Sequence, residues 1–336
     1  MAAIGQATKH GVIIKSGEAL ERMGSVNTVA FDKTGTLTYG RLEVSDILPM
    51  TDITPDELLI LAASAERLSE HPLGRAIAER AKDKSLKPVS DFRMNAGKGI
   101  CARVDGRGYR LGNEKYISEA GIPLEGNARA ALDRLRGEGK ASVIVADEAK
   151  VVGIIALSDV LRPEAADMVR RLVEMNVRAV LLTGDHATAA RFFAAQVGIR
   201  DVRADLLPEE KVGSVSELKR TGSVCMIGDG VNDAPALKTA DVGVAMGAMG
   251  SEIAVEAADV ALITDDISRL PYLKWLSNAT VRTIRTAITL SMCINLAAVT
   301  LSVLGVLNPT TGALVHNAGS CFVVLLAALL YDRKYR

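Results

Sequence analysis

The stretch DKTGTLT at residues 32–38 directly follows the apolar run VNTVAF at 26–31. That run predicts a buried strand, and a carboxylate at the carboxyl end of a parallel strand lies in the crevice where open α/β sheets bind ligands. Gly35 lets backbone N–H groups turn toward a phosphate, and an aspartate can form an acyl-phosphate. The stretch predicts Asp32 as a phosphoryl acceptor, although an isolated aspartate would more simply end a strand.

Short β-branched runs alternate with helix-period stretches along the chain. An amphipathic helix is predicted at 163–176, where Pro163 suits the first turn. This alternation predicts a mostly parallel, doubly wound α/β sheet. The runs that predict strands lie at 26–31, 151–157, 177–182, 224–227, 242–245 and 260–263.

The alternation stops between about 41 and 155. Two helical segments, 55–67 and 73–82, are followed there by Gly-punctuated, strand-like segments from 92 to 111. We interpret this stretch as a separate domain that is inserted between the first and second strands of the sheet.

Polar segments also occur beside the later strands of the sheet. The triplet TGD at 183–185 follows one predicted strand, Lys211 precedes a helix, and GDGVNDAP at 228–235 follows another strand. Phosphoryl transfer requires a cation, a lysine and hydroxyl donors around the transferred group. Lys211 could offset the phosphoryl charge and Thr183 could donate a hydrogen bond. Taken alone, Lys211 would equally well be a solvated surface residue.

A magnesium site is predicted from the spacing of the carboxylates. Mg²⁺ prefers oxygen ligands, usually one or two carboxylates together with phosphate and water. Asp229 and Asp233 are one helical turn apart and can supply such ligands together with Asp32.

In this order, the motifs resemble the phosphorylation domain of the haloacid-dehalogenase superfamily. The heptapeptide at 32–38 and the run DVGVAMG at 241–247 resemble the P-type ATPase branch of that superfamily. The resemblance implies ATP and Mg²⁺ as cofactors, with Thr34 beside Asp32 in the metal site. It also implies a catalytic set of Asp32, Thr34, Thr183, Gly184, Asp185 and Lys211.

The inserted stretch resembles the nucleotide-binding domain of heavy-metal P-type ATPases. It contains SEHPLG at 69–74, GKG at 97–99 and GN at 112–113. A histidine before proline is by itself more often a helix start, and G-x-G alone is a weak signal. The resemblance implies that the adenine is bound by Glu66 and His71, and that the nucleotide is also approached by Gly97, Gly99 and Asn113. The residue after the asparagine is often Arg in that family and is Glu114 here.

The C-terminal region predicts a membrane hairpin. Residues 286–307 carry no charge, a turn is predicted at 308–312, and a second apolar segment covers 313–330 before DRKYR at 332–336. About 20 apolar residues span a bilayer, and basic residues at both outer ends predict that these ends face the cytosol. The alternative is a buried helical hairpin of a soluble core.

Polar residues within the hairpin predict a path for a transported ion. Intramembrane polar side chains are usually functional, although they also serve as contacts between helices. The zinc/cadmium pumps of the family carry Lys and Asp at the positions of Asn295 and Asn317, whereas HNAGS at 316–320 is similar to the HEGGT of the cobalt-type branch. Imidazole and oxygen donors suit a divalent ion better than Cu⁺. The candidates are Cys293, Asn295, His316, Asn317, Ser320 and Cys321.

Composition excludes other classes of function. Lys+Arg and Asp+Glu are 40 each and aromatic residues make up 4%, so we expect no nucleic-acid partner. The four cysteines show no CxxC spacing, which argues against a disulfide framework or a zinc site.

The resemblance implies ATP-driven export of a heavy-metal cation, of Zn, Cd or Co type, across a membrane whose lipid surrounds the hairpin. That membrane would be the bacterial plasma membrane, with the catalytic domains in the cytosol. The alternatives are a copper-type pump and a membrane-tethered phosphatase or ATP-binding module without transport.

The family's Cys-Pro-Cys helix, earlier membrane helices and actuator domain are not in the sequence, so the same or a separate chain would supply them. The expected domains are a connection at 1–25, a phosphorylation domain at 26–40 and 156–280, a nucleotide-binding domain at 41–155 and two transmembrane helices at 283–331.

Overall fold

The computed structural model describes residues 2–247, 252–328 and 335. The end of the predicted second membrane segment at 329–330, and the tail at 332–336 apart from Tyr335, lie outside the described residues. The chain divides into two compact units. Unit 1 comprises Met1–Leu37, Pro163–Thr183 and Val197–Arg336, and unit 2 comprises Thr38–Arg162 and Gly184–Gln196.

The elements are numbered in chain order. The strands are β1 (Val12–Ile14), β2 (Thr28–Asp32), β3 (Thr38–Pro49), β4 (Val89–Asn95), β5 (Gly99–Val104), β6 (Arg107–Gly112), β7 (Ala141–Ala146), β8 (Val151–Leu161), β9 (Arg178–Leu182), β10 (Asp201–Arg203), β11 (Val224–Gly228), β12 (Val242–Met246) and β13 (Val260–Leu262). The helices are α1 (Ala2–Lys9), α2 (Gly17–Ser25), α3 (Pro55–Glu66), α4 (Pro72–Arg80), α5 (Glu114–Glu119), α6 (Gly126–Gly137), α7 (Ala165–Glu174), α8 (Ala187–Val197), α9 (Pro208–Lys219), α10 (Ala234–Thr239), α11 (Glu252–Ala257), α12 (Arg269–Val303) and α13 (Pro309–Ala328).

Unit 1 is built on a seven-stranded sheet with the order β1-β13-β12-β11-β2-β9-β10. Every neighbouring pair is parallel except β1 and β13. All five residues of β2, β11 and β12 are buried, as expected for strands that are covered on both faces. The predicted doubly wound parallel sheet is therefore confirmed, whereas the short strands β1 and β10 were not predicted.

Unit 2 contains an antiparallel sheet with the order β3-β8-β7-β6-β5-β4. Alternate residues of β7 and β8 enter two different cores. Val143 and Ile155 pack with α3 and α4 on one face, whereas Ile144 and Ile154 pack with α5 and α6 on the other.

This two-sided burial explains one wrong assignment in the sequence analysis. The run at 151–157 reads as a strand of the parallel sheet because it is apolar throughout, yet it forms the first part of β8 in unit 2. Since β8 pairs with β3 as far as Leu161 opposite Thr38, unit 2 continues to Arg162 rather than ending at 155.

The helix starts follow local capping chemistry. Thr54 forms a capping box with Glu57 at the start of α3, and Pro55 occupies the first turn. The helix predicted at 163–176 is two residues shorter than expected at each end, since α7 runs over Ala165–Glu174.

The C-terminal helices α12 and α13 are long and apolar enough to cross a membrane. The first part of α12 is buried in unit 1, and its residues 286–303 have a length of about 27 Å, close to the thickness of a bilayer core. A Schellman turn at Gly305 ends this helix before the predicted residue 307. The second helix starts at Pro309 rather than at 313, because the Asn308 side chain caps it by accepting from Thr311 N–H at 2.9 Å.

Candidate active site

Three adjacent strands of unit 1 bring the predicted catalytic segments to one edge of the sheet. Asp32 is the last residue of β2 and lies opposite Leu182, the last residue of β9. On the other side, Phe31 lies opposite Ile227 near the end of β11. The segments that begin at Thr183 and Gly228 therefore leave the sheet beside Asp32.

Asp32, Asp229 and Asp233 form a compact carboxylate cluster. One oxygen from each side chain lies within 4.8 Å of the others. Asp32 and Asp233 are buried, and Asp229 is half-buried. The Nζ atom of Lys211 donates to Asp32 Oδ1 at 2.5 Å and to Asp233 Oδ1 at 2.8 Å. The first residues of α9 thus bring an ammonium between two of the three carboxylates.

The lack of a side chain at Gly35 allows the Asp229 carboxylate to approach the turn after β2. The residue has a φ of +72°, and a Cβ atom added there would lie 1.6 Å from Asp229 Oδ2. Any side chain at this position would displace the Asp229 carboxylate in addition to straining the backbone. The glycine of the heptapeptide is thus required by the approach of Asp229.

The electrostatics of the cluster favour a cation. Burial and the negative charge of Asp233 raise the pKa of Asp32 to about 7, against the opposing effect of Lys211. Burial lowers the pKa of Lys211, but the charges of Asp32 and Asp233 more than offset this, so its pKa is raised. Three carboxylates this close together form the hard oxygen set that Mg²⁺ prefers, and an ammonium already bridges two of them. The residues fit a bound Mg²⁺ ion.

The remaining predicted catalytic residues differ in burial and in the unit to which they belong. Thr34 is exposed on the turn after β2, whereas Thr183 is buried at the end of β9. Gly184 is exposed and Asp185 is half-buried, and both group with unit 2 rather than with the sheet.

A cavity of about 200 Å³ lies within unit 2. All five residues predicted for the nucleotide site line it: Glu66, His71, Gly97, Gly99 and Asn113. Its apolar lining includes Leu73, Met94, Ile100 and Val143. The cavity is also lined by residues that were not predicted, among them Ser69, Asn95, Lys98 and Ser142. Ser69 and Lys98 lie within the segments 69–74 and 97–99 but were given no role there, whereas Asn95 and Ser142 belong to no motif.

His71 and Glu66 present defined chemistry to this cavity. His71 caps α4, and its Nδ1 accepts from Leu73 N–H at 3.3 Å, so the proton of the neutral ring lies on Nε2. Burial raises the pKa of Glu66, and a hydrogen bond from Ser69 partly opposes this.

Close contacts and hydrogen bonds of the main chain fix the part of the cavity wall that Gly97, Gly99 and Asn113 form. Gly99 has a φ of +154°, and an added Cβ atom would lie 2.1 Å from the carbonyl oxygen of Leu111. Asn113 lines the cavity, yet both ends of its amide group bond to the protein: Nδ2 to the Gly97 carbonyl and Oδ1 to Tyr116 N–H.

The membrane hairpin brings together two of the residues predicted on the ion path. His316 Nδ1 lies 3.1 Å from Asn295 Oδ1, which joins α13 to α12. The other candidates, Cys293, Asn317, Ser320 and Cys321, are exposed on the same two helices.

The parallel sheet, with the heptapeptide at 32–38 and the carboxylate cluster at one edge, is typical of phosphoryl-transferring hydrolases. A haloacid dehalogenase-like hydrolase family matches residues 26–241. A manganese-exporting P-type ATPase of Mycobacterium leprae is 40% identical, over 100% of this chain and 47% of the relative. A zinc-exporting P-type ATPase of Mycobacterium marinum is 39% identical over 100% of this chain and 46% of the relative. A probable copper-exporting P-type ATPase of Mycobacterium tuberculosis is 38% identical over 96% of this chain and 42% of the relative.

Solved structures agree with these relatives. A zinc-transporting PIB-type ATPase in an E2.Pi state superposes with a TM-score of 0.93 at 36% identity, over 98% of this chain and 54% of that chain. The catalytic domain of the CPx-ATPase CopB-B gives a TM-score of 0.61 at 29% identity, over 82% of this chain and 99% of that chain. The chain belongs to the haloacid dehalogenase-like hydrolases and, within them, to the heavy-metal P-type ATPases. It spans about half the length of the curated relatives that it matches.

Proposed function

We propose that this chain carries the phosphorylation and nucleotide-binding parts of an ATP-driven heavy-metal export pump, with ATP and Mg²⁺ as cofactors. The observation that carries the proposal is the cluster of Asp32, Asp229 and Asp233 around the Lys211 ammonium. A buried carboxylate at a strand end, paired with a cation, is the arrangement that an aspartyl nucleophile requires.

The reaction proceeds in two steps. A carboxylate oxygen of Asp32 attacks the γ-phosphorus of ATP, the bond to the β,γ-bridging oxygen breaks, and ADP leaves. Water then attacks the acyl-phosphate, which releases inorganic phosphate and regenerates Asp32. Lys211 opposes the rise in the pKa of Asp32 and so favours its ionised form, and it offsets charge on the transferred group. Asp32, Asp229 and Asp233 would hold Mg²⁺, which supplies further charge neutralisation when bound.

The cavity in unit 2 is proposed to bind the adenine. His71 Nε2–H can donate to a ring nitrogen, and the Glu66 carboxylate can accept from the exocyclic amine. Leu73, Ile100 and Val143 supply apolar surface for the ring faces. A volume of about 200 Å³ suits a base, so the ribose and the phosphates would extend out of the cavity.

The cargo is proposed to be a divalent cation of Zn, Cd, Co or Mn type. His316 is the proposed ligand, and Asn295, Asn317, Ser320 and Cys293 are candidates for the rest of the site. An imidazole with oxygen donors favours such an ion over Cu⁺. The names of the relatives include manganese, zinc and copper exporters at nearly equal identity, so a copper-type pump is the alternative.

Transport would take place across the bacterial plasma membrane, with unit 2 and the parallel sheet of unit 1 in the cytosol and the apolar parts of α12 and α13 in the membrane. The remaining membrane helices and the actuator domain would come from the same or a separate chain. Arg282 and Arg285, just before the apolar part of α12, support the cytosolic placement of that end.

The test is labelling of the purified chain with γ-³²P-ATP and Mg²⁺. We expect an acid-stable, hydroxylamine-labile label that Asp32→Asn abolishes, whereas Asp83→Asn, at an exposed aspartate, retains it. An undiminished label in Asp32→Asn would overturn the proposal. Hydrolysis of p-nitrophenyl phosphate without any label from ATP would instead support the membrane-tethered phosphatase.

A further inference from the structure

The first turn of α5 is bonded to the loop at residues 95–99, which forms one wall of the cavity. The loop turns back on itself through a bond from Lys98 N–H to the Asn95 carbonyl at 3.0 Å. Asn113, the N-cap of α5, donates its backbone N–H to the Lys98 carbonyl at 2.9 Å. The loop and the helix start are therefore joined through the main chain.

The side chain of Asn113 adds a second connection. Its Nδ2 donates to the Gly97 carbonyl at 3.0 Å, while its Oδ1 accepts from Tyr116 N–H at 2.9 Å. One amide group thus caps the helix and holds the loop at the same time. An asparagine whose two ends are engaged in this way is better suited to support the wall than to bind a ligand directly.

Tyr116 provides a third connection from below the loop. Its hydroxyl accepts from Asn95 Nδ2 at 2.8 Å, and the ring is buried in the core beneath α5. Tyr116 is not among the residues that line the cavity, so its hydroxyl acts on the cavity through Asn95; the same hydroxyl also accepts from Arg110 Nη1 at 3.5 Å. Lys98 is also bonded to Glu119 at 2.6 Å, but both side chains of that pair remain accessible to solvent.

Such connections matter because the loop is intrinsically adaptable. Gly97 and Gly99 have φ values of +70° and +154°, conformations that glycine leaves easily. A loop that becomes ordered only when ligand binds reduces affinity by the entropy of that ordering, whereas a loop held in place beforehand does not.

We propose that Asn113 and Tyr116 are positioning residues that set the affinity for ATP by holding the 95–99 loop in its binding conformation. The inference rests on the proposed function, in which this cavity takes the adenine. It assigns to Asn113 a supporting role in place of a direct contact, and it adds Tyr116, which no sequence motif indicated.

The experiment uses the full chain purified in detergent, with two substitutions that change little else. Asn113→Ser retains a side-chain oxygen that can cap α5 but removes the donor to Gly97. Tyr116→Phe removes only the hydroxyl. The matched controls are Asn127→Ser, near the start of α6, and Tyr109→Phe, at a half-buried tyrosine on β6.

We expect each substitution to weaken ATP binding about 3- to 10-fold by calorimetry, the range for one lost hydrogen bond. Amide exchange of the 95–99 segment should become faster without nucleotide, while labelling of Asp32 by acetyl phosphate stays at the level of the parent. The controls should leave both affinity and exchange unchanged.

Two outcomes would overturn the inference. Affinity unchanged in Tyr116→Phe would show that the third connection has no role. Affinity lost in Asn113→Ser with no change in exchange would show that Asn113 contacts the nucleotide directly. A parent chain that does not bind ATP at all would instead contradict the proposed function, and this is measured first.

Discussion

The carboxylate cluster of unit 1 and the cavity of unit 2 are built in opposite ways. The cluster consists of charged side chains at the edge of the parallel sheet, from the end of β2, the segment after β11 and the start of α9, and Asp32, Asp233 and Lys211 are all buried there. The cavity is lined largely by apolar side chains, and one of its walls is a glycine-containing loop that neutral hydrogen bonds hold in place. Charges in a buried site interact strongly, whereas single neutral hydrogen bonds contribute modestly. We therefore expect substitutions in the cluster to stop phosphorylation, and substitutions in the cavity to change the affinity for ATP.

The largest effect is expected for Lys211→Met. The loss of a charge that faces the developing charge of the transferred phosphoryl group should slow phosphorylation by ATP about 10²- to 10³-fold. Rapid-quench labelling measures the rate, and Lys219→Met, at the other end of α9, is the control. A rate within threefold of the parent would mean that Lys211 has only a structural role.

Alanine substitutions at Gly35 and Gly97 distinguish the cost of a steric conflict from the cost of backbone strain. Gly35 and Gly97 have nearly the same φ, +72° and +70°. An added Cβ atom would meet Asp229 at Gly35, whereas at Gly97 it would have no atom of the described residues within 4 Å. Gly97→Ala should lower the free energy of unfolding by about 1–2 kcal/mol, the cost of the left-handed backbone. Gly35→Ala should cost clearly more, since a large steric conflict is added. The free energy of unfolding of both variants is measured by urea denaturation. Equal decreases for the two variants would contradict the close approach of Asp229 to Gly35.

Asp233→Asn tests whether the cluster holds Mg²⁺. The substitution preserves size but replaces an anionic oxygen ligand by a neutral amide. The Mg²⁺ concentration for half-maximal phosphorylation should rise by at least about tenfold, by analogy with the loss of groups that support metal ligands. An unchanged Mg²⁺ requirement would indicate that Asp233 only pairs with Lys211.

His71→Gln is expected to have the smallest effect. The loss of the Nε2–H donor should weaken ATP binding about 3- to 10-fold. Labelling of Asp32 by acetyl phosphate, which needs no adenine site, should remain at the level of the parent. If both activities fall together, the substitution has disturbed the fold of unit 2 and the two regions are not separable.

The sequence predicted the cluster more fully than the cavity, and the reason is physical. Asp32, Asp229 and Asp233 lie in contiguous motifs after buried strands, and parallel strands bring their carboxyl ends to one edge. The support of the 95–99 loop by Asn113 and Tyr116 depends on which loops meet in space, and no local pattern encodes that.

Two further differences have equally specific causes. The run at 151–157 was assigned to the wrong sheet because an antiparallel strand covered on both faces has the same apolar pattern as a parallel one. The contact of His316 with Asn295 depends on the relative register of α12 and α13, which the composition of two apolar segments does not determine.

The central claim is that Asp32 alone accepts the phosphoryl group. The most direct measurement is acid quenching after incubation with ATP and Mg²⁺, reduction of the acyl-phosphate with borohydride, and mass spectrometry of the resulting peptides. Our account predicts homoserine at position 32 and unmodified aspartate at positions 229 and 233. Homoserine at the position of any other aspartate, in the parent chain or in Asp32→Asn, would contradict the account.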